Sequence, residues 1–117
     1  MAGSPFGPPD RTRLRAPWLC SVVKAELLFG ARRSERVDAN LGLFTKFFAR
    51  FRCLPFDDQC AEHYGVVRAT LSRLGSLIGP NDMLIASIAL AHDATVVTAN
   101  ESEFRRVPSL RVESWEA

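Results

Sequence analysis

The longest apolar stretch of the chain runs from Met83 to Ala91, where Ser87 is the one polar residue. It predicts a helix buried on most sides. Gly79 marks a turn before it, and Pro80 suits the first helical position, where its missing N–H has no intrahelical partner. Asn81 and Asp82 then fall in the first turn. Ala94-Thr95-Val96-Val97-Thr98 follows, a β-branched run that reads as a buried strand. Upstream, apolar positions recur twice at spacings of four and three. Val37, Leu41, Phe44, Phe48 and Phe51 predict a helix over 34–50, and Phe47 widens its stripe; so aromatic a face is a core or an interface with another chain. Cys60, Tyr64, Val67, Leu71 and Leu74 predict the next helix, with Asp57 or Asp58 as its cap and Gly75 as its terminator. Val22 to Ala31 reads as a shorter helix, with Arg32 and Arg33 at its end. Trp18 to Ser21 and Phe51 to Phe56 read as short extended segments, Glu101 to Phe104 as a turn or short helix, and Val112 to Trp115 as an edge strand.

Helices alternating with short apolar runs give an α/β domain with a mostly parallel sheet. A chain of 117 residues is one domain by length. Residues 1–17 stand apart: Pro5, Pro8, Pro9 and Pro17, with Gly3 and Gly7, exclude a helix or central strand over most of the segment. It is expected to be a disordered Pro/Arg-rich tail, with the folded domain over 18–117.

Charge changes this picture little. The net charge of +2 is too small to argue for nucleic-acid binding. Thirteen of the fifteen basic residues are Arg, which suits phosphate contacts but also follows from a GC-rich genome. No apolar run is long enough to span a bilayer, and the N-terminus lacks a signal-peptide pattern, so a cytoplasmic protein without membrane contact is expected. Cys20, Cys53 and Cys60 are expected to be reduced and buried. Cys60 and His63 have the spacing to share a metal on one helical turn, but no second pair accompanies them, and a zinc site is not expected.

The candidate chemistry rests on carboxylates. Glu26 has Val22, Val23, Leu27, Phe29 and Gly30 as near neighbours; it reaches solvent, pairs with a cation such as Arg33, or binds something. Asp82 either complements the helix macrodipole or serves as a ligand. Asn100 and Glu103 follow the strand, at the sheet edge where open α/β folds bind ligands.

Four stretches in register resemble the PIN-domain ribonucleases, specifically VapC-like toxins of type II toxin–antitoxin systems. They are Ser21-Val22-Val23-Lys24-Ala25-Glu26-Leu27-Leu28-Phe29-Gly30-Ala31, then Leu54-Pro55-Phe56-Asp57 with Tyr64-Gly65, then Ile78 to Ala86, and Val97 to Phe104 running into Val107-Pro108 and Trp115. The resemblance covers about residue 18 to the C-terminus. It implies a three-layer PIN-like fold and Mg²⁺- or Mn²⁺-dependent hydrolysis of RNA phosphodiester bonds. Carried over residue by residue, it implies catalytic roles for Glu26, Asp82 and Glu103, metal ligation by Asp82 and Glu26, and support from Asn100, Ser21 and Asn81. Implied partners are an RNA substrate, a VapB-like antitoxin and a second copy in a homodimer. The sequence departs from the family before Trp18: a hydrophobic strand ending in Asp-Thr-Asn is expected there, and Asp10, between Pro9 and Arg11, does not match it. The first central strand is therefore expected to be missing. The alternative function is a non-catalytic PIN remnant that binds an antitoxin through the aromatic 41–51 helix.

Overall fold

Residues 18–114 are described in the computed structural model of the chain. The expected tail over 1–17, with Asp10, and the end of the last strand at Trp115 lie outside the described residues. The elements run β1 (Trp18–Cys20), α1 (Ser21–Arg33), α2 (Val37–Phe48), β2 (Arg52–Leu54), α3 (Asp58–Arg73), α4 (Pro80–Ala91), β3 (Val96–Thr98), α5 (Glu101–Phe104) and β4 (Val112–Ser114). This is the α/β alternation the sequence predicts. No helix among the described residues is long and apolar enough to cross a membrane.

The apolar run makes α4 the centre of the molecule. Met83, Ala86, Ser87, Ile88, Ala89 and Ala91 are buried along it. Ser87 is satisfied by donating its hydroxyl to the Met83 carbonyl at 2.7 Å, so the polar atom carries no unpaired burial cost. α3 packs along α4. Its stripe behaves as the periodicity requires at Cys60, Val67 and Leu71, which are buried, whereas Leu74 at the C-cap is exposed. Asp57 caps α3 by accepting the Cys60 N–H at 3.1 Å. Gly75 ends it at φ +67°, a left-handed conformation that glycine adopts without steric cost.

The strands pair in parallel, in two separate ladders. β1 lies on β2 with Trp18 opposite Arg52, and β3 lies on β4 with Val96 opposite Val112. Between the two pairs the sheet hydrogen bonding is interrupted. A side chain bridges them instead: the Trp18 indole N–H donates to the Thr95 carbonyl at 3.1 Å. The two ladders also share α4 as a floor, since Ile85 and Trp18 pack against both apolar clusters of the core.

Four expectations are corrected. β3 is not buried throughout: Val96 is buried, but Val97 is 52% exposed, because alternate strand residues face opposite sides and nothing described covers its side. The aromatic stripe of α2 is not core, since no residue of that helix is buried. It packs chiefly on α1, and Phe44, Phe47, Phe48 and Phe51 stack among themselves, with Phe47 and Phe51 centroids 4.8 Å apart. α2 also starts three residues later than expected, because Ser34 turns the chain by donating to the Ala31 carbonyl while accepting from Asn40. The three cysteines are free thiols, but only Cys20 and Cys60 are buried; Cys53 faces outward on β2.

Candidate active site

Where β3 ends and α4 begins, two carboxylates meet. Glu103 projects from the short helix α5, and its Oε1 accepts the backbone N–H of Gly79, the N-cap residue of α4. That N–H belongs to the set a helix start leaves without intrahelical partners, so a carboxylate from a distant segment fills a local need. Oε2 of Glu103 accepts from the Asn100 side-chain amide at 2.6 Å. Asn100 is itself fixed by its backbone N–H, which donates to Thr98 Oγ1 at 2.9 Å. The end of β3 therefore orients Asn100, Asn100 orients Glu103, and Glu103 is tied to the tip of α4.

Asp82 stands beside this pair in the first turn of α4, half-buried. Burial pushes its carboxyl above the ordinary value, the neighbouring Glu103 charge adds to the rise, and the Glu26 charge adds further. Glu103 moves the other way: the Gly79 N–H holds its carboxyl below the usual range, helped by the Asn100 amide. The two carboxyls act on each other, Glu103 adding to the rise at Asp82 and Asp82 to the fall at Glu103. The pair thus splits into a readily ionised Glu103 and a proton-retaining Asp82. Gly79 gives both groups room, since a Cβ there would lie 3.4 Å from Glu103 Oε1 and 3.6 Å from Asp82 Oδ2.

Glu26 is exposed on α1, which corrects the apolar setting read from the sequence. Val22 and Val23, one turn earlier on the same face, pack onto the core, whereas Ala25, Phe29 and Gly30 around Glu26 are exposed. Its charge still reaches Asp82, so the structure brings the three carboxylates into one electrostatic neighbourhood. They do not close to within 4.8 Å of one another as a set; among the described residues the group that does is Asp57, Cys60 and His92. Asn100 joins the acidic cluster directly. Ser21 is half-buried as the first residue of α1, and Asn81 is exposed beside Asp82. Sequence reasoning missed the donor role of the Gly79 N–H and the anchoring role of Thr98. The signal for both was the turn preceding Pro80 and the Thr-x-Asn spacing at the strand end.

An oxygen-only donor set suits a hard divalent cation. Mg²⁺ keeps several waters and takes one or two carboxylates directly, so an Asp82–Glu103 pair with Glu26 further out fits it. A cation here would offset the like charges that add to the rise of Asp82 beyond the effect of burial. The cavity of about 290 Å³ lined by His63, Thr70, Asp93 and Arg111 shares no residue with this cluster.

The PIN domain family matches residues 10–110, a span that starts upstream of the first quoted stretch. The chain is similar to Ribonuclease VapC2 of Rickettsia felis, with 40% identity over 98 residues that cover 84% of this chain and 73% of that protein. It is similar to the tRNA(fMet)-specific endonuclease VapC of Salmonella typhimurium, with 38% identity over 108 residues, 91% of this chain and 82% of the relative. Among solved structures, VapBC2 from Rickettsia felis bound to a DNA fragment from their promoter superposes with a TM-score of 0.80 at 40% identity, covering 84% of this chain and 74% of the other.

Proposed function

The chain belongs to the PIN-domain family, and we propose that it is a VapC-type toxin: an endoribonuclease that hydrolyses RNA phosphodiester bonds with Mg²⁺ or Mn²⁺. One observation carries the reading. Asp82 and Glu103 are held against the N-terminus of α4, with opposite protonation tendencies and a third carboxylate within electrostatic reach. Asp82 and Glu103, with Glu26 further out, are the residues that would hold the metal. A divalent ion bound there would lower the pKa of a water and offset charge on the phosphate. The chain's own residues contribute positioning: the Gly79 N–H and the Asn100 amide keep Glu103 ionised and aimed, and Asp82 in its ionised form would accept the cation. Ser21 and Asn81, at the starts of α1 and α4, are the remaining candidates for contact with RNA.

The test is cleavage of RNA by the purified chain with added Mg²⁺, beginning with initiator tRNA because the Salmonella relative is named for it. Metal-dependent cleavage that disappears in Asp82→Asn supports the reading. Metal-independent cleavage, or cleavage unchanged in Asp82→Asn, overturns it.

A second reading, binding without catalysis, draws on α2. Its phenylalanines and Phe51 form a self-stacked face that is half-buried at Phe44, Phe48 and Phe51 and exposed at Phe47, with no buried residue on the helix. A VapB-like antitoxin or a second copy of the chain would cover that face. Relatives such as the Rickettsia felis protein were solved as VapBC complexes. Antitoxin binding by a chain that cleaves no RNA would select this reading.

A further inference from the structure

At the opposite end of α4 from Asp82, three donors of different chemistry converge. Asp57 caps the N-terminus of α3, Cys60 follows in the first turn of that helix, and His92 caps the C-terminus of α4. Their carboxylate oxygen, sulfur and imidazole nitrogen all lie within 4.8 Å of one another. His92 is ten positions after Asp82, or about 15 Å along the helix axis, so this cluster is separate from the acidic pair.

We propose that Asp57, Cys60 and His92 form a transition-metal site, suited to Zn²⁺, that pins the start of α3 to the end of α4. Sulfur, nitrogen and oxygen donors together suit Zn²⁺ and not Mg²⁺, which takes oxygen alone. Zn²⁺ binds such ligands at about 2.0–2.3 Å, so side-chain rotation must draw the donors inward by about 1 Å. The helix ends favour the arrangement. The α3 N-terminus stabilises the anionic Asp57 carboxylate, and the α4 C-terminus favours the cation. Asp57 is exposed, which leaves an open side for a water as fourth ligand. Cys60 is wholly buried, and burial pushes its thiol up to about 11. Coordination therefore forms the S–metal bond as the S–H proton leaves to solvent. The Cys60–His63 spacing in the sequence pointed to another histidine: His63 lines the cavity beside Val67 and Thr70.

The experiment titrates the reduced full chain with Co²⁺ as a spectroscopic probe, in excess Mg²⁺. The expected result is a thiolate-to-cobalt charge-transfer band that saturates at one equivalent and persists in Asp82→Asn and in Cys53→Ser. Asp57→Asn keeps the helix cap, and both it and His92→Gln are expected to weaken Co²⁺ binding by about 10- to 100-fold. Cys60→Ser abolishes the band. Zn²⁺ competes the band away and raises the Tm of the wild-type chain more than that of Asp57→Asn. No band in the folded wild-type chain overturns the proposal. So does a band that depends on Cys53, or one that Asp57→Asn and His92→Gln leave unchanged.

Discussion

Asp82 and Glu103 are neighbouring carboxyls displaced in opposite directions, Asp82 upward by burial and Glu103 downward by the Gly79 N–H. A backbone donor and a patch of apolar surface thus divide two like charges into an acid and a base.

This division fixes a pH dependence. The stability contributed by neutral Asp82 is complete below its unfolded value of about 3.9 and is lost as pH rises through its higher folded value. Glu103 has the reverse sign: its contribution is present above about 4.3 and is lost as pH falls through its lower folded value. Cation binding needs ionised Asp82, so Mg²⁺ affinity is expected to fall as pH drops below the raised Asp82 value. Isothermal titration of Mg²⁺ across pH checks this; an affinity flat down to about pH 4 contradicts it.

Asp82→Asn is expected to separate function from stability. RNA cleavage should fall by about 100-fold or more, as the loss of a direct metal ligand implies. The metal-free chain should gain a few tenths of a kcal/mol at neutral pH, because the like-charge contact is gone. Gel-based cleavage and thermal melts without metal read the two effects.

Gly79→Ala divides the same two quantities differently. Gly79 has φ −56° and ψ 148°, which alanine adopts freely, but the unfolded-state entropy gain of about 0.4–1 kcal/mol is offset by alanine's poor N-capping, so the Tm is expected to change little. The new methyl would touch both carboxylates, and Mg²⁺ affinity is expected to drop several-fold. A melting curve and a metal titration on the same preparation check it.

Asn100→Ala removes the 2.6 Å amide contact to Glu103. Cleavage is expected to fall by about 10-fold, the usual loss for a group that orients a ligand, with little change in stability. Asn100→Gln restores part of the activity if hydrogen bonding is what matters.

Phe47→Ala addresses the α2 face. Phe47 is 39% exposed, so its truncation should cost less than 1 kcal/mol in the free chain. Antitoxin association is expected to weaken by about tenfold or more if this face is the docking surface, since exposed aromatics dominate such contacts. Titration with the cognate antitoxin gives the answer.

The sequence was most legible where one periodic pattern met one layer of neighbours. The α4 run, the α3 stripe, the Asp57 cap and the Gly75 terminator follow from local propensity and helical spacing, and each sits where that reasoning puts it. Three features were not legible for one shared reason. Periodicity identifies an apolar face but not what covers it, so the α2 stripe looks like core and is only half-buried against α1, and Val97 looks buried and is open. Glu26 was surrounded by apolar neighbours in sequence, yet Phe29 and Gly30 beside it are themselves exposed, and the helix carries its carboxylate at the open edge of the core. Within the candidate site, the carboxylates could be nominated by position at a helix start and a strand end. The Glu103–Gly79 contact spans 24 positions and arises only when β3 and α5 fold back on α4.

The two strand pairs are joined by one indole hydrogen bond and by Ile85 beneath them. Each pair has its own cluster on one helix: Cys20 and Leu54 pack with Ile88 and Ala91, Val96 packs with Met83, Ala86 and Ala89, and unseating α4 would bare both at once. The interrupted sheet should therefore melt as one foldon, with the β1 and β3 amides exchanging their hydrogens through a common opening of equal free energy. The break in the ladder divides the hydrogen bonds without dividing the cooperativity, and α4 acts as the keel to which both halves are fastened.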